Sequence, residues 1–100
     1  MANSKKYWQG FEDLVESPLA QKFQQNEFAE AQVLYDSLVS SGYEHAETFY
    51  NLGNVHYRLG NVGMAILNYE RTLKINPEDE DAQHNLALAN KQVVDEFNTV

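Results

Sequence analysis

One hundred residues are about one domain and supply a single modest core. Seven Lys and Arg against fifteen Asp and Glu give a net charge of −8, which repels phosphate backbones and anionic bilayers and so disfavours nucleic acid and membrane surfaces as partners. Cysteine is absent, which excludes disulfides, thiolate metal sites and cysteine nucleophiles, and no apolar run reaches the ~18 residues of a membrane helix.

The chain repeats itself at a spacing of 34 residues: Ala31 falls on Ala65, Tyr35 on Tyr69, Asn51 on Asn85 and Leu52 on Leu86. This divides it into an N-terminal segment (1–11), a degenerate repeat (12–45), a full repeat (46–79) and a capping helix (80–100), all within one domain. The opening residues carry Lys5-Lys6 with no apolar stretch after them, which does not read as a secretory signal. Tyr7, Trp8, Phe11, Leu14 and Val15 predict a separate turn of helix packed over the end of the domain. Ser17-Pro18 reads as an N-cap and first helical residue, which predicts a short helix over 18–25. Phe28, Ala31, Leu34, Tyr35 and Leu38 share one face of the next helix, which Gly42 ends.

In the full repeat, Phe49, Leu52, Gly53 and His56 recur at helical spacing until Gly60, where a helix end favours a left-handed residue. Asn61 is expected to cap the following helix, whose apolar positions are Ala65, Ile66, Tyr69, Leu73 and Ile75. Asn76-Pro77 stops it, because a residue before proline avoids the α region. From Glu80 one helix runs on through Leu86, Ala89, Val93, Val94 and Phe97 without a second turn, as a cap that solvates the end of a repeat stack.

The pattern Phe49-x-x-Leu52-Gly53-x-x-His56, Ala65-x-x-x-Tyr69 and Pro77 resembles the tetratricopeptide repeat, with Phe, His and Tyr at positions where that family has Trp, Tyr and Phe. The first repeat departs from it, with Pro18-Leu19 in place of the Leu-Gly pair. The resemblance implies an all-α fold of about five helices, with helical hairpins in a right-handed superhelix. Residues 28–97, through Asn51-Leu52-Gly53-Asn54, Gly60-Asn61-x-Gly63 and Ala65 to Arg71, are also similar to the repeat part of BatE-type proteins of the Bacteroides aerotolerance group. That resemblance implies a bacterial cell-envelope component. Lys6-Tyr7-Trp8-x-Gly10 and Gln25 to Glu30 resemble the N-terminus of a Bacteroidetes molybdopterin oxidoreductase subunit, which would make the first 30 residues of different origin.

Reactive chemistry finds little support. His45, His56 and His84 form no His-x-x-x-His pair on one helix face, so no metal ligand is expected, and His56 is expected to pack inside its repeat while His45 and His84 lie at the surface. Glu78-Asp79-Glu80-Asp81 lacks the alternating ligands and central glycine of a calcium loop and reads instead as acid at a helix N-terminus. Gly60-Asn61-Val62-Gly63 has neither the strand nor the Lys-Ser or Lys-Thr pair of a phosphate loop. No cofactor, metal or catalytic residue is expected, and the chain reads as non-enzymatic.

By analogy with the resembled family, the first helix of each repeat lines a concave groove. Glu47, Tyr50, Asn54, Tyr57 and Arg58 in one helix, and Asp81, His84, Asn85, Leu88 and Lys91 in the other, would face it. The expected peptide-binding set is Tyr50, Asn54, Tyr57, Arg58, Asn85 and Leu88. Tyr50 and Asp81 stand where a carboxylate clamp needs lysines, so such a clamp is not expected. Asn54 and Asn85 carry two readings, as peptide contacts or as bridges between neighbouring helices. The expected function is a protein-interaction module for a neutral or basic protein or peptide. The alternatives are an accessory segment of a molybdopterin oxidoreductase and a self-associating solenoid. A weak homodimer is expected through Trp8, Phe11 and Leu14. As the chain stands the location expected is cytoplasmic, or the envelope or periplasm if flanking segments were trimmed.

Overall fold

The structure, a computed structural model, describes the backbone of residues 18–98 and the side chains of residues 25–98. Four helices occur among the described residues: α1 (Pro18–Ser40), α2 (Ala46–Arg58), α3 (Val62–Ile75) and α4 (Glu80–Asn98). No strand occurs among these residues, and the fold is the all-α, repeat-type arrangement of helices that the 34-residue period predicts. Neighbours in sequence pack together: α1 on α2, α2 on α3 and α3 on α4.

Two turns of the same kind set this order. Gly42 and Gly60 both adopt positive φ, at 89° and 86°, where a side chain would be strained. At the first, Gly42 N–H bonds to Val39 O and Tyr43 N–H to Leu38 O; at the second, Gly60 N–H bonds to Tyr57 O and Asn61 N–H to His56 O. This double closure satisfies carbonyls that a helix end would otherwise leave unpaired. Asn61 occupies the N-cap position of α3 but makes no capping bond, a correction to its expected role. Its amide is turned back toward His56 instead, 3.4 Å from Nδ1. The start of α4 is capped by a residue the sequence pattern does not single out: Asp79 Oδ1 accepts from Ala82 N–H at 3.0 Å, and Gln83 Nε2 donates to Pro77 O at 2.8 Å.

The first repeat needs the larger correction. Where a short helix over 18–25 and a second helix were expected, one continuous helix runs from Pro18 to Ser40, so those two are a single helix. Asn26 stands one period before Gly60, yet no non-glycine residue among those described has positive φ, and the helix passes straight through. Asn tolerates the helix interior at a small cost, whereas Gly60 is there to leave it. The expected packing of Tyr7, Trp8, Phe11, Leu14 and Val15, and the dimer contact built on three of them, lie outside the described residues.

The core falls into two clusters. Phe28, Ala31 and Val55, with Tyr35 and Leu59 against them, join α1 to α2. Ala65, Tyr69 and Ala89, with Tyr50, Tyr57, Val62, Ile66 and Leu86, join α3 to α2 and α4. The shared face expected for α1 is divided. Phe28 and Ala31 are buried, but Leu34 and Leu38 are exposed.

Candidate peptide interface

The interior of α2 brings the helices close enough to build a polar link between repeats. Gly53 lies against Tyr69 of α3, and a β-carbon at Gly53 would come within 2.6 Å of the tyrosine ring. The ring therefore sits in a notch that only glycine leaves open. From there the Tyr69 hydroxyl donates to Asn54 Oδ1 of α2. Asn85 Nδ2 of α4 donates to the same oxygen at 3.0 Å and to the Tyr50 hydroxyl at 3.3 Å. Four side chains from three helices thus form one hydrogen-bonded group. Burial pushes the Tyr69 hydroxyl well above its ordinary range, so it is a neutral donor at any physiological pH.

The first repeat joins the second by a related contact. Asn51, one period before Asn85, donates from Nδ2 to the Tyr35 hydroxyl at 3.2 Å. Asparagine on one helix and tyrosine on a helix before it recur at both junctions. Of the two readings for Asn54 and Asn85, the bridging one is present in the structure: Asn54 is 6 % exposed, and its oxygen is taken by two internal donors.

The other groove positions lie around this group. Tyr50, Tyr57 and Arg58 are half-buried on α2, and Leu88 is exposed on α4. Tyr50 and Tyr57 both pack against the cluster of Ala65, Tyr69 and Ala89, so one side of each ring is fixed by the core. Leu88 continues into an open hollow lined by Lys91, Gln92, Asp95 and Glu96, where Lys91 Nζ and Asp95 Oδ2 pair at 2.9 Å. Around these aromatics the first turns of α2 and α4 place Glu47 and Asp81.

The histidines fall as expected: His56 is buried, and His45 and His84 are exposed. What the sequence did not reveal is that His56 Nε2 is buried without a hydrogen-bond partner. Desolvation holds this ring's pKa below 6.5 against the opposing pull of Asp36. Among the described residues no three acidic or histidine side chains converge as a metal site would require, and no helix is long and apolar enough to cross a membrane.

No curated protein and no solved structure matches the chain. The sequence model of the tetratricopeptide repeat matches residues 46–79, the span of α2, the Gly60 turn, α3 and the Pro77 stop. This repeat is typically a non-enzymatic module that binds proteins or peptides. The match, the 34-residue span and the glycine-dependent closure of α2 on α3 make residues 46–79 of this chain a tetratricopeptide repeat.

Proposed function

We propose that the chain is a protein-interaction module that takes a neutral or basic peptide along the face shared by α2 and α4. The observation that carries this reading is the link from Asn85 to Asn54 and Tyr50, which holds the two helices side by side beneath Tyr50, Tyr57, Arg58 and Leu88. Rings with one side anchored in the core lose little freedom on binding, and Tyr combines apolar area with a hydroxyl. Asn85 spends its amide nitrogen on the internal link, which leaves its oxygen to accept from a peptide N–H. Glu47 and Asp81 bias the surrounding field toward cationic segments, chiefly by speeding encounter. With two helices lining it, the face binds in the micromolar range, on the order of −8 kcal/mol.

Selection of displayed random peptides on the immobilised chain tests this. Sequences recovered on the parent should be lost on a Leu88→Lys variant, changed at an exposed position, whose melting curve is unchanged. Equal recovery on the variant sinks the reading. The comparisons with known proteins do not support the BatE-type resemblance, and the envelope role it implies would show as selected peptides drawn from envelope proteins.

A further inference from the structure

Shifting α1 by one period lays it on α3: Ala31 on Ala65, Leu34 on Asn68, Tyr35 on Tyr69 and Leu38 on Thr72. In α3 all four positions are closed; Asn68 and Thr72 are both 0 % exposed, and Thr72 Oγ1 reaches Ala46 O of α2 at 3.4 Å. In α1 the equivalent outer positions are open, with Leu34 60 % and Leu38 39 % exposed, and Val33 beside them is open too. The difference lies in the covering helix. α3 is covered by α2, its partner across the Gly60 turn. The same partner for α1 would be residues 12–24, of which the described residues 18–24 belong to the continuous helix α1 itself. A helix cannot lie along its own side, so residues 18–24 do not cover Leu34 and Leu38 of the same chain.

We propose that α1 pairs with α1 of a second copy in a domain-swapped dimer. Residues 18–24 of each copy lie antiparallel on residues 28–38 of the other, closing in trans the hairpin that the straight helix leaves open in cis. Exchange of an identical element needs only that the connecting turn straighten. The turn is straight at Gln25-Asn26-Glu27, where repeat two has Leu59-Gly60-Asn61. Charge favours this occupant. The sequence of 18–24 holds Lys22 and no acid, while residues 25–44 hold Glu27, Glu30, Asp36 and Glu44 and no base. The register follows from repeat two. Gly53 against Tyr69 becomes position 19 against Tyr35. Leu34 then lies beside position 19 of the other copy, and Glu30 falls close to position 22.

The chain has no cysteine, so disulfide trapping reads this register directly. Positions 19 and 34 of one straight helix are about 22 Å apart along its axis, too far to be joined within a chain. Mixing Leu19→Cys with Leu34→Cys under oxidising conditions should yield the mixed dimer in excess over either variant oxidised alone. Sedimentation of the parent should approach twice the 11.5 kDa chain mass as concentration rises. A variant with Asn26→Gly and Glu27→Asn, which restores the turn sequence of repeat two, should shift it back to monomer. Leu34→Glu/Leu38→Glu should do the same with an unchanged helical spectrum, since both leucines are exposed in the single chain. A parent that stays monomeric overturns the proposal. So does a chain carrying both Leu19→Cys and Leu34→Cys that joins its two thiols within itself, or a dimer that traps no mixed pair.

Discussion

Gly53 and Tyr69 form the contact on which the second repeat closes. A methyl group at Gly53 would meet the Tyr69 ring well inside van der Waals distance. Gly53→Ala should therefore lower stability by about 1–3 kcal/mol, although alanine favours a helix over glycine by up to ~1 kcal/mol. The other glycines sort by conformation. Gly60 sits at φ 86°, so Gly60→Ala should cost about 1 kcal/mol. Gly63 lies in the first turn of α3 with open space around it, so Gly63→Ala should be neutral or stabilising by up to about 1 kcal/mol. Urea midpoints of the three variants order them; a stable Gly53→Ala would mean that α2 and α3 cross elsewhere. Ala65 is fully buried in the same junction, and Ala65→Leu should cost about 1–3 kcal/mol by overpacking.

His56 makes stability depend on pH. Its Nδ1 faces the Asn61 amide, a donor, so the neutral ring carries its proton on Nε2, and a second proton must displace that contact. Because the folded pKa lies below the unfolded value of 6.5, the unfolded chain binds the proton first. Stability is full above pH 6.5 and falls as pH drops toward the folded pKa. Asp36 opposes the shift without reversing it. Between pH 7 and pH 5 the parent should lose more stability than a His56→Phe variant, whose background carboxylates are the same. Equal losses would show that the ring is not protected from water.

At the scale of elements, what could be read in the sequence is what strong local signals impose. Gly60 and Pro77 bracket α3, and the helical spacing of Phe49, Leu52 and His56 marks α2; both lie where the sequence places them. The expectation fails in the first repeat because its break comes only from alignment with repeat two. Nothing in Gln25-Asn26-Glu27 itself forces a turn, and the structure shows none. The cap of α4 was legible in principle. Asp79 stands directly before the helix and two residues after Pro77, but the neighbouring acids Glu78, Glu80 and Asp81 mask which one caps. Asp79→Ala should cost about 1 kcal/mol, whereas Glu78→Ala should be near neutral. Thermal melts of the two variants separate them. The site was legible in residue type more than in role. Asn54 and Asn85 stood out, yet their mutual bond depends on how closely Gly53 lets α3 approach, which no spacing in the chain reports.

At the scale of the whole molecule, two surfaces follow from the same repeat. Its complete copy, α2 with α3, is closed on both sides and, through Asn85, aligns α4 with α2. Its incomplete copy, α1, has an open side. On the proposed function, the first of these, the aligned face of α2 and α4, is where a partner peptide would lie. Titrating a selected peptide into the isotopically labelled chain and following the backbone amide spectrum tests it most directly. The shifts should gather at Tyr50, Tyr57, Arg58, Asn85 and Leu88, and weaken with added salt. Shifts gathered instead at the opposite cleft of Val39, Phe49, Arg71, Lys74 and Ile75, with the α2 and α4 positions unmoved, would contradict it.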